Sequence, residues 1–339
     1  MTKRGLTAML VGAVALSSLL AACGSAGSAG SGSGKVGVAV FLSSSSNSYE
    51  QAQAAGAKKA AKSLGAGPVQ VFDGGFDSSK QIGQIQDATA SGRFKAFVIE
   101  PVDSAAVVAP LTRAAKQGIK VVCITGACGS DPIKVALQFP GEAGVVAADY
   151  HGAAEQLAKE SIDACGATDP CKVFYLNGDS TFPSDRAAKD GFASVMKAAP
   201  ANVDYVGTQD GKYDTSTGRS VTQSELQRTP GLSVVASLAD QQTLGAAQAI
   251  DAAGTSSAIK LISFGGSKQA LAAVAAGTWY GALVTLPLSI GETGATIAIL
   301  TAQGKKAAAN VVDSSTLATV GGGWLTKANV AQFVAQWTS

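Results

Sequence analysis

Short runs of consecutive apolar residues alternate along this chain with longer, alanine-rich segments. The apolar runs are Val36–Leu42, Val69–Phe72, Ala96–Ile99, Lys120–Ile124, Lys172–Leu176, Val203–Val206, Leu232–Ser237, Ile259–Ser263 and Ala282–Leu286. They are mostly apolar rather than regularly alternating, the pattern of parallel strands covered on both faces. Tyr49–Leu64, Ser78–Ser91, Ser104–Gln117, Asp185–Lys197 and Leu244–Ala253 read as helices between them. Ile82 and Ile85 stand three apart, and Val107, Leu111 and Ala114 recur at helical spacing. Strand–helix alternation over this length predicts an α/β, doubly wound fold. In such sheets ligands lie beyond the carboxyl ends of the strands. The loops expected there are polar: Ser43–Asn47, Asp73–Gly75, Glu100–Asp103, Thr125-Gly126, Asn177–Asp179, Asp240–Gln242 and Gly265–Ser267. Each loop taken singly also fits a turn or a helix cap.

A different pattern precedes this body. Lys3 and Arg4 open the chain, an apolar run extends from Leu6 to Leu20, and Leu20-Ala21-Ala22-Cys23 follows. The run is too short and too sharply ended for a membrane span, so a cleaved signal is expected over 1–22. Small residues before a lone cysteine resemble the lipobox of bacterial lipoproteins, which implies that Cys23 is diacylated. Gly24 to Gly34 contain only Gly, Ser and Ala, the composition of a flexible tether over 23–34. The expected location is therefore outside the cytoplasm, on the outer face of the bacterial cell membrane and held by lipid alone.

Composition narrows the chemistry. About 305 of the 339 residues follow the tether, enough for two lobes with their own cores. Charged residues are 15% of the chain, the net charge is +2 and no basic patch occurs, so nucleic acid is not an expected partner. One histidine, His151, leaves a histidine-based metal site or a Ser-His-Asp triad almost nothing to work with. The remaining cysteines fall as Cys123 with Cys128 and Cys165 with Cys171. Export favours disulfides over a four-cysteine zinc site. Three connectivities are possible, and the two local ones are favoured; each would contribute about 2 kcal/mol by loop closure.

No enzyme signature emerges. Gly304-Lys305-Lys306 lacks the glycine spacing and the hydroxyl of a phosphate-binding loop. Glu50, Asp103, Asp185 and Asp214 could pair as acid and base for glycoside hydrolysis, but nothing in their spacing favours that over sugar binding or capping. No cofactor and no metal are expected.

The order of features resembles the type I periplasmic binding proteins of the ribose-binding family, the solute receptors of ABC sugar importers. Val69 to Val107 carries most of the likeness: strand, Asp turn, a helix with Gln86-Asp87, strand, then Pro101-Val102-Asp103-Ser104. Asn47-Ser48-Tyr49 followed by Gly56, Asp185-Arg186 leading to Gly191-Phe192, and Leu286-Pro287 followed by Ile290-Gly291 add to it. The resemblance implies two lobes joined by three crossovers, an N-terminal lobe over 35–138 plus 286–315 and a C-terminal lobe over 139–285 plus 316–339. Lac-repressor-like regulators share such lobes but carry a DNA-binding headpiece where this chain has a lipoprotein signal.

Carried over position by position, the family's sugar-binding set is only partly kept. Asn47, Tyr49, Asp103, Arg186, Tyr213 and Asp214 match residues that stack on rings or fork onto hydroxyl pairs. Glu50 replaces a second aromatic, and Ala188 replaces the second of two arginines. Thr125-Gly126 stands for Asp-Arg, Ala239-Asp240 for Asn-Asp, Phe264-Gly265-Gly266 for Phe-Asp-Gly, and Thr285 for the hinge glutamine. The expected ligand set is therefore Asn47, Tyr49, Glu50, Asp103, Thr125, Arg186, Tyr213, Asp214, Asp240, Gly265 and Thr285. Loss of large hydrogen-bonding groups argues against strict pentose specificity. Phe139, Phe182 and Trp279 read as core or hinge packing.

The function implied is capture of a small neutral hydroxyl-bearing molecule by a monomeric receptor and its delivery to an ABC permease with a cytoplasmic ATPase. Two alternatives stay open: a ligand-sensing receptor for a membrane kinase or chemoreceptor, and a receptor for a non-sugar ligand such as a nucleoside.

Overall fold

The structure, a computed structural model, describes residues Gly34–Ser339. The segments expected as signal peptide and tether, up to Ser33 and with Cys23 among them, lie outside the described residues. Among the described residues there are twelve strands: β1 Val38–Leu42, β2 Val69–Asp73, β3 Ala96–Ile99, β4 Lys120–Thr125, β5 Glu142–Ala147, β6 Cys171–Asn177, β7 Val203–Asp210, β8 Leu232–Ser237, β9 Lys260–Gly265, β10 Gly281–Val284, β11 Val311–Asp313 and β12 Trp324–Leu325. The α-helices are α1 Ser48–Ser63, α2 Ser78–Ala90, α3 Val108–Lys116, α4 Tyr150–Cys165, α5 Pro183–Met196, α6 Thr215–Arg228, α7 Asp240–Ala252, α8 Lys268–Ala276 and α9 Pro287–Ala302.

The strands form two six-stranded sheets, ordered β11-β5-β4-β3-β1-β2 and β12-β10-β9-β8-β6-β7. All neighbours run parallel except β12, which is antiparallel to β10. Parallel strands need covered faces, and the side-chain alternation of each central strand shows them. Val38, Val40 and Leu42 of β1 enter one core cluster of the first lobe, while Ala39 and Phe41 enter the other. In the second lobe Val173 and Tyr175 of β6 point to one side, and Phe174 and Leu176 to the other. Each lobe is thus a sheet with an apolar layer on both faces, the predicted doubly wound class. All of this lies in one compact unit, Lys35–Ser339, which holds its cores entire and so folds on its own.

The first crossover was expected at Phe139 but falls after β5. That strand belongs to the first sheet, pairing with β4 and β11. Its sequence, EAGVVA, hides it: three small residues, Ala143, Gly144 and Ala147, give weak strand propensity. Gly144 is required there, because a Cβ would lie 2.8 Å from Ile297 and 3.0 Å from the Asn310 carbonyl. The chain then enters α4, which packs on α5, β8 and β9. It returns through Thr285-Leu286 into α9, which packs on α1, β3, β4 and β5. A third passage runs from β11 through Ser314–Gly323 to β12.

Several helices start at polar caps. Asn47, Asp77, Asp149, Asp214 and Ser267 each accept a backbone N–H of the first turn. Both local disulfides are present, Cys123–Cys128 and Cys165–Cys171. The first closes the loop after β4, and the second ties the end of α4 to the start of β6.

Candidate ligand-binding site

The carboxyl ends of the two sheets face each other across a cleft of about 760 Å³, part of it open to solvent. Ser43 follows β1, Glu100 to Val102 follow β3, and Thr125-Gly126 close β4. From the opposite side come Leu238-Ala239 after β8, Gly265 at the end of β9, and Thr285 after β10. Tyr213 reaches in from the turn before α6, so most of the wall comes from strand ends.

Polar contacts cross the cleft. Asn47 caps α1 by accepting from the Tyr49 N–H at 2.9 Å. The same Oδ1 accepts from Nε2 of Gln241, on α7 of the other lobe, at 2.9 Å. The Tyr49 hydroxyl lies 3.2 Å from Thr285 Oγ1 at a crossover. Within the first lobe, Thr125 Oγ1 accepts from Gln53 Nε2 at 2.6 Å.

Aromatic rings supply the apolar surface. Phe76, after β2, lies 5.8 Å from Phe182 and 6.3 Å from Tyr213, both in the second lobe; its plane is within 15° of Tyr213's. Trp337, near the C-terminus, meets Tyr49 edge-on at 5.4 Å. Tyr150, at the start of α4, meets Phe264 edge-on at 6.0 Å. Phe76, Thr125 and Tyr213 also hold left-handed backbone, with φ of 56°, 66° and 55°. Left-handed backbone is costly for such residues, so strain among the described residues gathers on the cleft wall.

Three buried carboxyls surround this space. Glu50 Oε1 accepts from the Ser43 hydroxyl at 3.0 Å. Burial, then the neighbouring Glu100, holds Glu50 well above the usual carboxylate range. Burial pushes Glu100 up to about 7, against hydrogen bonds from Ser43 and Gln53. Asp185 stands behind Tyr213; it accepts from the Tyr213 hydroxyl at 2.7 Å and the Asp179 N–H at 2.6 Å. Burial outweighs those bonds and raises Asp185 to about 6.

These shifts fix a pH dependence. Glu100 ionises near its model-compound value of 4.5 in the unfolded chain and near 7 in the folded one. Between those values the folded state binds more protons, so stability falls as pH rises and levels off above 7. Ligand-free protein should lose on the order of 3 kcal/mol from Glu100 between pH 4.5 and 7.5. Glu142, also raised to about 7 by burial, acts in the same direction. Chemical denaturation across that window, with Glu100→Gln as comparison, isolates the Glu100 share. An equal slope in the variant would contradict this account.

Seven of the expected residues line the cleft: Asn47, Tyr49, Glu50, Thr125, Tyr213, Gly265 and Thr285. Four do not, because the protein itself uses their polar groups. Asp103 accepts the N–H groups of Ala105 and Ala106 at 3.0 and 2.9 Å. Arg186 lies at the surface, donating to the carbonyls of Ser180 and Thr181. Asp214 caps α6 through the Thr217 N–H at 2.8 Å. Asp240 is fully buried and accepts from the Ser267 N–H at 2.6 Å. Glu100, Phe76, Tyr150, Gln241 and Trp337 line the cleft without having been singled out as ligand residues. Phe182 lines it too, whereas Phe139 and Trp279 are core residues. Glu100 and Gln241 sit in loops already marked as polar strand ends. Trp337 carries no local signal.

A sequence profile described as "Periplasmic binding protein domain" matches residues 38–306, most of the chain. The chain belongs to the periplasmic binding protein family. Membership makes it a solute-binding protein and not an enzyme. Among relatives of this family member, the ribose import binding protein of Salmonella typhimurium is 28% identical over 300 residues, covering 88% of this chain and 93% of the relative. The D-allose-binding periplasmic protein of Escherichia coli is 27% identical over 260 residues, 76% and 81% of the two chains. Among solved structures, an ABC transporter periplasmic solute binding protein of Actinobacillus succinogenes with bound D-allose superposes with a TM-score of 0.76. Its identity is 20%, and the match covers 88% of this chain and all of that one. The Caulobacter myo-inositol binding protein gives a TM-score of 0.71 at 23% identity, covering 82% and 90%. These likenesses establish the two-lobed type I fold for this periplasmic binding protein.

Proposed function

We propose that this protein captures a small hydroxyl-bearing solute, a sugar, polyol or cyclitol, between its lobes and delivers it to an ABC permease with a cytoplasmic ATPase. The observation that carries this reading is the pairing of ring faces and polar groups from both lobes across one cleft. Ring C–H surfaces stack on Phe76, Phe182 and Tyr213. Hydroxyls exchange hydrogen bonds with Asn47, Glu50, Glu100, Thr125 and Gln241. Relatives named for ribose and D-allose support the same ligand class. Closure follows from differential affinity: a solute touching both lobes stabilises the closed form over the open one. The receptor acts as a monomer, exported by its signal peptide and held at the membrane through lipid on Cys23, with 24–34 as the tether.

The test is a thermal-shift screen of Lys35–Ser339 against sugars, polyols, cyclitols, nucleosides and small acids. A solute bound only by the folded form raises the melting temperature. A rise with one hydroxylated class is the expected result. A rise confined to nucleosides or acids would overturn the reading.

A further inference from the structure

The cleft carries acid that no base within it balances. Glu50 and Glu100 line it with 5% and 8% of their surface exposed. Both interact with the Ser43 hydroxyl, which places the two carboxyls around one side chain. Among the described residues one oxygen on each, Oε2, has no hydrogen-bond partner, and no lysine, arginine or histidine lines the cleft. Lys212, beside Tyr213, is held by Asp179 at 2.7 Å and Asp210 at 3.6 Å. Lys80 is held by Asp73 at 2.9 Å, and His151 lies 3.7 Å from Glu155. Among the described residues no cluster of ligating side chains could hold a metal ion.

A solute with hydroxyls alone leaves this arrangement unfavourable. Two adjacent buried carboxylates repel each other, and one must keep a proton. An ammonium group removes both problems. Seated against the carboxyls where they line the cleft, it offers three N–H donors and supplies the missing positive charge. The rings of Tyr49, Phe76, Tyr150 and Tyr213 around the same space suit it, since aromatic faces attract cations. We infer that the solute carries a protonated amine on its hydroxylated body, as an amino sugar or aminocyclitol does, with the ammonium held by Glu50 and Glu100. This rests on the hydroxyl-bearing reading above and narrows it.

The other titratable groups facing this acid pair are Asp185 from α5 and the hydroxyls of Tyr49, Tyr150 and Tyr213. Burial raises all three tyrosines, so they stay neutral. Ionisation of the carboxyls governs the acid limb of binding, so amine affinity rises with pH from about 5.5 until the solute's own ammonium begins to lose its proton.

The experiment compares matched pairs on Lys35–Ser339 by thermal shift and calorimetry: glucosamine with glucose, galactosamine with galactose, and 2-deoxystreptamine with myo-inositol. At least one amino member should bind at pH 7.5 ten times or more tighter than its neutral partner. Glu100→Gln should weaken that amine tenfold or more and the neutral partner, whose hydroxyls it also meets, by a clearly smaller factor; Glu50→Gln serves as the second variant. A neutral partner that binds as tightly as its amine overturns the inference and leaves the hydroxyl-bearing reading intact. If these pairs and the wider sugar and polyol screen all fail while a nucleoside or an acid binds, both readings fall. A set of pairs in which no amino member binds, with a neutral sugar binding, overturns the inference alone.

Discussion

Gly291→Ala is expected to destabilise the protein by about 2 kcal/mol, although alanine is the better helix former. Helices α1 and α9 of the first lobe pack so closely that a Cβ on Gly291 would lie 2.0 Å from the Gln53 carbonyl oxygen. On the facing helix, a Cβ on Gly56 would lie equally close to the Leu288 carbonyl oxygen. These contacts are backbone, so the helices must separate, and overpacking of that kind costs typically about 1–3 kcal/mol, sometimes more. The intrinsic gain from replacing a helical glycine is only about 1 kcal/mol. Gly83, inside α2, provides the control: a Cβ there meets nothing within 4 Å. Gly83→Ala should stabilise by about 0.5–1 kcal/mol. Urea midpoints of the two variants test the pair together. A Gly291→Ala variant as stable as the parent would mean that α9 does not depend on this close approach.

Tyr213→Ala should weaken solute binding by about 100-fold, equivalent to about 2.7 kcal/mol, while destabilising the fold by less. The ring lies nearly parallel to Phe76 of the opposite lobe, so it contributes a face that exists only when the lobes meet. Its hydroxyl also holds Asp185 in place. Tyr213→Phe keeps the face and removes the donor, so it should retain most of the affinity. Calorimetry with the solute found by screening, beside denaturation of each variant, separates the two roles. Unchanged affinity in the alanine variant would remove Tyr213 from the site.

The architecture was legible where a local pattern and a tertiary demand coincide. β1 and the Val173–Leu176 stretch of β6 are apolar at every position, because each faces an apolar layer on both sides. β5 and β12 were not legible: one is rich in small residues, and the other is only two residues long. The site divides by the same logic. Asn47 and Tyr49 stand out because a strand end runs directly into a capped helix. Asp103 and Asp214 misled, since an aspartate that binds backbone N–H groups looks in sequence like one awaiting hydroxyls. Glu100 lay in a marked loop, but its role depends on Glu50 and Ser43, which are distant in sequence. Trp337 reaches the cleft only because the C-terminal segment docks on the second lobe, with its indole N–H donating to the Gly265 carbonyl.

The bond between Asn47 and Gln241 joins the lobes without using any atom of a solute. Beside the ring contacts of Phe76 with Phe182 and Tyr213, its strength therefore helps to set how often the receptor shuts unloaded. Shifting that balance by 1.4 kcal/mol raises apparent affinity up to tenfold, until the shut form predominates. The same shift multiplies unloaded receptors that resemble loaded ones, and a permease recognising shape alone would dock them in vain. Position 241 is thus a point where scavenging at low solute concentration trades against turnover of the whole importer.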